Sequence, residues 1–144
     1  MKIDNLNTVY TTPSSGVSEN NPKQWVKSFA LRQKTAKFKD SHKEVLFSEL
    51  HALLISGVDF NRALMLIIQS EKNMGIKRML SQLQQDVIGG SALWQTMSGR
   101  NVFSKLDCGV IRIGEETGRI SESLYFLSDF YNKKIAQRRM ITSA

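Results

Sequence analysis

The sequence predicts an all-α fold, a compact antiparallel bundle of about six helices preceded by an N-terminal basic arm. Three observations predict it. From Asp40 onward the apolar residues recur at intervals of three and four, with almost none of the alternation that a half-buried strand needs. Glycine interrupts this pattern repeatedly, at Gly57, Gly75, Gly89, Gly90, Gly99 and Gly118, so the helices are short and must fold back on one another. With 144 residues, 41% of them hydrophobic and only two prolines, the chain can bury one sizeable core and has little left for a second domain.

Residues 1–39 differ in character from the rest. Asn, Thr, Ser and Pro gather through Asn20, Asn21 and Pro22, and Lys27, Arg32, Lys34, Lys37 and Lys39 follow. This composition predicts a basic arm, poorly ordered or ordered only under some conditions. Trp25, Val26, Phe29 and Leu31 are spaced for a short amphipathic turn against a partner, a membrane surface or the domain itself; the plainer alternative is a tail docked loosely or not at all.

The first predicted helix runs from Ser41 to Ser56, with Leu46, Leu50, Leu53 and Leu54 on one face and Gly57 as its stop. Asp59 is placed to cap a second helix, which carries Phe60, Ala63, Leu64 and Ile67 to about Asn73. After Gly75 a third helix displays Ile76, Leu80, Leu83 and Val87 and ends at Gly89 and Gly90; Ser91 then caps a short fourth helix to about Met97. Phe103, Leu106, Val110 and Ile113 form the predicted core stripe of the fifth, whose end is bracketed by Gly114 and Gly118. The sixth and longest carries Ile120, Leu124, Leu127, Tyr131 and Ile135, with Ser121 as its cap and Ile120 stapled onto Tyr125. Trp94, Met97 and Phe103 read as core by default, with an exposed partner patch as the alternative, and Cys108 reads as a small buried side chain.

Composition narrows the function. A formal charge of +7 favours an anionic partner, nucleic acid or a membrane surface. One cysteine forbids an intrachain disulfide and agrees with a reducing compartment. No apolar run approaches the roughly 20 residues that span a bilayer, so a soluble polypeptide is expected, and the ending Arg138 to Ala144 lacks a helix-stop signal, as in a fragment of a longer protein. His42 and His51, nine residues apart, fall on roughly opposite sides of one helix. No His-Glu-x-x-His pattern, phosphate-binding loop or nucleophile elbow occurs. Neither an enzyme nor a cofactor is expected.

Three local patterns carry a resemblance. They are Glu49 to Asp59 (ELHALLISGVD), Val87 to Leu93 (VIGGSAL), and Gly114 to Ile120 (GEETGRI) followed by Leu124, Leu127, Phe130 and Tyr131. In order and spacing they resemble the F-type inner-membrane platform proteins of type II secretion and type IV pilus assembly, over residues 41–144. The chain departs from that pattern at Asp59, where the family often has Pro; either residue can start a helix. The resemblance implies a non-catalytic cytoplasmic domain, residues 40–144, cut short before a transmembrane helix of a multi-pass parent. It implies partners in the secretion or pilus ATPase and other platform proteins, a homodimer among the arrangements open to it, and a location on the cytoplasmic face of the inner membrane. The alternative, from charge alone, is a nucleic-acid-binding module or soluble adaptor; against the former, the basic residues gather at the chain's ends instead of on one internal helix.

Several residues stand out as site candidates. Gly57, Gly90, Gly114 and Gly118 form the turn motif, and Gly118→Val is expected to destabilise the domain. Glu115 and Glu116 point about 100° apart and cannot form a catalytic dyad. One of them suits the exposed N–H groups at the start of the sixth helix, or an ion pair with Arg112 or Arg119. With Arg119 they are also candidates for a partner interface, and as hard oxygen ligands weak candidates for a divalent cation there. Lys133, Lys134, Arg138 and Arg139 read as a membrane-proximal basic cluster able to touch anionic headgroups.

Overall fold

A computed structural model of the chain describes residues 38–142. Six helices follow one another: α1 (Asp40–Ile55), α2 (Phe60–Ser70), α3 (Met74–Ile88), α4 (Leu93–Ser98), α5 (Lys105–Thr117) and α6 (Ile120–Thr142). No strand occurs among the described residues, so the fold is all-α. Apart from Phe38 and Lys39, the arm read from residues 1–39 lies outside the described residues.

The bundle is organised around an antiparallel α1–α6 pair. At one end Asp40, the first residue of α1, pairs with Lys134 at 3.2 Å and with Arg138, both late in α6. At the other end His51, late in α1, bonds through Nδ1 to the Ser121 carbonyl in the first turn of α6, at 3.0 Å. Because that carbonyl can only accept, Nδ1 carries the proton. The α2–α3 hairpin closes beside α1, with the Gln84 amide donating to the Asn61 carbonyl at 3.3 Å.

The stripes read for α2, α3 and α6 face inward: Ala63, Leu64, Ile67, Ile76, Leu80, Leu83, Leu124, Leu127 and Tyr131 are all buried. A fully buried Leu or Ile contributes about 1.5–3 kcal/mol, so this periodic spacing is the main source of stability. Phe47 and Ile68, which the stripes leave out, are buried beside them, and Phe38 packs on Phe103 with ring centroids 5.6 Å apart.

Five local expectations need correction. The second helix stops at Ser70, since Asn73 is the cap of α3 and accepts from the N–H groups of Gly75 and Ile76 at 2.9 and 3.1 Å. Ser91 caps nothing: Ala92 occupies the cap position of α4 with no side-chain bond of its own. Ser121 lies within α6, which already begins at Ile120. The fifth helix is turned relative to its predicted stripe. Leu106 is 41% and Ile113 64% exposed, whereas Asp107, Ile111 and Gly114 face the core. Cys108 is half-buried only.

Asp59 caps α2 as read, accepting from the Asn61 N–H at 3.1 Å. Gly57, Gly90 and Gly118 have positive φ. At Gly118 this conformation (φ 71°) ends α5 and lets the Arg119 N–H return to the Gly114 carbonyl at 2.8 Å. A β-branched residue there strains the backbone, and Gly118→Val is expected to lose about 1–3 kcal/mol, read as a lowered urea midpoint. An unchanged midpoint would show that the turn relaxes without cost.

Candidate functional site

The densest grouping of predicted site residues is the corner where α5 turns into α6. Gly114 sits inside the last turns of α5, and a Cβ built on it would lie 2.8 Å from the Ser123 Cβ and 3.1 Å from the Ile120 Cα. The missing side chain is what allows α6 to cross so closely. Ser123, buried at that crossing, donates its hydroxyl to the Val110 carbonyl at 2.9 Å, tying the two helices together.

Glu115 and Glu116 leave this corner in different directions. Glu115 accepts from the N–H groups of Leu93 and Trp94 at 2.9 and 2.7 Å, so it caps α4, not α6. A helix start has unpaired N–H groups and a partial positive charge, and α4, lacking a capping side chain, receives this carboxylate from 22 residues away. Glu116 pairs instead with Arg112 at 2.8 Å on the exposed face of α5. Arg112 also stacks over the half-buried Trp94 ring, 4.6 Å from its centroid. Met97 and Phe103, the other two residues of that group, are core. Glu115→Ala is expected to cost about 0.5–2 kcal/mol, with faster amide exchange at Leu93 and Trp94 as the local signature. Exchange unchanged there would show that α4 holds without its borrowed cap.

Arg119 and Glu122 lie 3.8 Å apart, both 71% exposed, at the rim of an apolar groove of about 420 Å³ between α5 and α6. Val110, Ile113 and Phe126 line it. The stripe assigned to the core from sequence is thus partly this groove. Glu115 and Glu116 do not converge, and among the described residues no group of three or more His, Cys, Asp or Glu side chains is arranged to hold a metal ion. His42 accepts from the Lys39 N–H at 2.9 Å, far from the His51 contact with α6.

A second polar cluster was not anticipated. Asp107 is fully buried; it accepts from Lys43 Nζ at 2.8 Å on one oxygen and from the Tyr131 hydroxyl at 2.5 Å on the other. The same carboxylate accepts from the Ser104 N–H at 2.9 Å, while Ser104 Oγ accepts from the Asp107 N–H at 3.1 Å, a capping box at the start of α5. One side chain therefore joins α1, α5 and α6. Only the Ser104-x-x-Asp107 spacing hints at it in the sequence; the Lys43 and Tyr131 partners are 64 and 24 residues away.

Burial opposes the charged form of Lys43, but the hydrogen bond and charge of Asp107 outweigh it and hold the ammonium above the ordinary lysine range. Burial, aided by the bond to Asp107, likewise pushes the Tyr131 phenol up. Both groups keep their protons better in the fold than in the unfolded chain, where they titrate near about pH 10. Their stabilisation is complete below that pH and is lost as pH rises through the folded-state values. Denaturation midpoints are expected to fall above about pH 10, and Tyr131→Phe to flatten the fall; equal slopes in both proteins would rule this out.

The described helices include none long and apolar enough to cross a membrane. A family model, type II secretion system protein F, matches residues 46–144, more than half the chain and nearly all of the bundle. The chain belongs to the type II secretion system protein F family. Among relatives of known name, the type IV pilus assembly protein PilC of Thermus thermophilus is 30% identical over 96 residues. That alignment covers 67% of this chain and 24% of the relative, so the chain spans about a quarter of the relative's length. In this protein F domain the corner Gly114 to Ile120 is a structural joint first: its glycines set the α5–α6 crossing and Glu115 fastens α4 to it. Glu116 and Arg119 remain on its exposed side.

Proposed function

We propose that this domain is a non-catalytic assembly module of an inner-membrane platform serving type II secretion or type IV pilus biogenesis. It sits on the cytoplasmic face and contacts the machine's ATPase and neighbouring platform components. The observation that carries this reading is that the family match coincides with the folded unit: residues 46–144 contain almost all of the six-helix bundle. A bundle joined across three helices by a buried polar cluster suits the passage of force from an ATPase to the membrane. Lys133, Lys134, Arg138 and Arg139, on the last turns of α6, are its membrane-proximal basic residues. Glu116 and Arg119, exposed at the α5–α6 corner, are its candidate contacts with other components.

The test is co-purification of the chain with the ATPase and platform proteins of its own organism, comparing the parent with the charge-reversed pair Glu116→Arg and Arg119→Glu. Recovery with the parent and loss with the variant, at equal thermal stability, supports both the role and the contact. No recovery of any component with the parent overturns the role; equal recovery with both proteins removes the corner from the interface.

A further inference from the structure

The α2–α3 hairpin packs on the rest of the bundle through α1 and α4. On α2 the residues Ala63, Leu64, Ile67 and Ile68 are buried, and the helical repeat puts Arg62, Met65, Leu66 and Gln69 on the opposite face, where all four are exposed. On α3 the buried residues are Ile76, Leu80 and Leu83, and Met74, Arg78, Gln82 and Gln85 are exposed. The Gln84–Asn61 bond sets the two helices side by side, so their outer faces form one surface. Between Asp59 and Ile88 the hairpin has four cations, Arg62, Lys72, Lys77 and Arg78, and three carboxylates. Each carboxylate is already engaged: Asp59 caps α2, Glu71 accepts from the Asn73 N–H at 2.9 Å, and Asp86 pairs with Arg100 at 3.1 Å. None of the four cations forms an ion pair among the described residues. The surface is therefore cationic and lacks internal compensation.

Apolar side chains stand among these cations. Met65 is 40%, Leu66 38% and Met74 69% exposed. Arg62 lies in the first turn of α2 and Arg78 near the start of α3, beside the far end of α2, so the two guanidinium groups bracket Met65 and Leu66. We propose that this face binds an amphipathic helix of a protein partner, one whose apolar stripe is flanked by Asp or Glu. The stripe would lie on Met65, Leu66 and Met74, and methionine adapts its shape to such a contact. The carboxylates would meet Arg62 and Arg78, which can bind them in bidentate fashion. Duplex DNA fits less well, because a phosphate backbone has no use for the apolar side chains. A lipid surface fits less well too: Gln69, Gln82 and Gln85 interrupt the apolar area with amides, which a helix with polar side chains can satisfy and an acyl layer cannot. The inference goes beyond the platform reading, and none of its residues belongs to the α5–α6 corner.

The experiment places the photo-crosslinking residue p-benzoylphenylalanine at Leu66 or Gln82, and at the exposed Asn132 of α6 as a control, in the protein in its own organism. The captured peptide is then sequenced. Leu66 and Gln82 are expected to capture the same segment of one protein, an acidic amphipathic helix, and Asn132 is not. Arg62→Glu/Arg78→Glu, checked for parental helicity and melting, is expected to lower the yield at least about tenfold, because it sets like charges against each other. Arg62→Lys/Arg78→Lys should keep most of the yield, and Lys in place of the captured acidic residues should restore it to the Glu variant. A captured segment that is basic or lacks an apolar stripe overturns the proposal. So does an adduct with lipid or nucleic acid, a yield at Leu66 and Gln82 no higher than at Asn132, or a yield unchanged by charge reversal. An acidic helix from a protein outside the platform upholds this inference and counts against the platform reading; a platform component captured through a basic segment does the reverse.

Discussion

Asp107→Ala is expected to destabilise the domain by about 3–5 kcal/mol, the cost of removing one partner from a buried ion pair. The substitution leaves the Lys43 ammonium, only 8% of its side chain exposed, with no counter-charge, and the Tyr131 hydroxyl without its carboxylate acceptor. It also removes the α5 capping box. A loss of this size is a large share of the roughly 5–15 kcal/mol that holds a domain together. Urea unfolding read by circular dichroism measures it. Replacing Lys43, Asp107 and Tyr131 together by Met, Leu and Phe should recover much of the loss, because a buried pair is costly to break and not necessarily costly to replace. A loss under about 1 kcal/mol for the Ala variant would mean that water reaches the cluster.

Gly114→Val is expected to lose about 3 kcal/mol, near the upper end for overpacking a core. Two effects compete at this helical glycine. Valine gains up to about 0.5 kcal/mol of helix propensity over glycine. Against this, the added Cβ would meet the Ser123 Cβ at 2.8 Å and the Ile120 backbone at 3.1 Å. The backbone cannot rotate out of the way as a long side chain could, so the clash wins and α6 must shift away from α5. Such a shift breaks the Ser123–Val110 bond, and a double-mutant cycle with Ser123→Gly should show coupling between the two positions. Simple additivity would place the strain elsewhere.

The apolar stripes of α2, α3 and α6 were legible because helical periodicity is local: a residue and its neighbours three and four positions on share a face whatever packs against it. The glycine stops and the Asp59 cap were legible for the same reason, since each acts within one turn of chain. The resemblance read from Gly114 to Ile120 and its two companion patterns agrees with the family match over residues 46–144.

What the sequence by itself determined is therefore the class of fold, the approximate helices and the family. The tertiary structure decided which way α5 turns, who caps α4, and where the charge goes. Periodicity put Leu106 and Ile113 in the core, but Asp107 is stabilised there by Lys43 and Tyr131, and Gly114 is needed where α6 crosses; both requirements come from other helices. The N–H groups at the start of α4 are satisfied by Glu115 from a later helix. Asp40 at the start of α1 meets Lys134 and Arg138 only because α1 and α6 align antiparallel. Local spacing can specify which residues share a helix face, but pairings between distant helices depend on packing that no single stretch of chain contains.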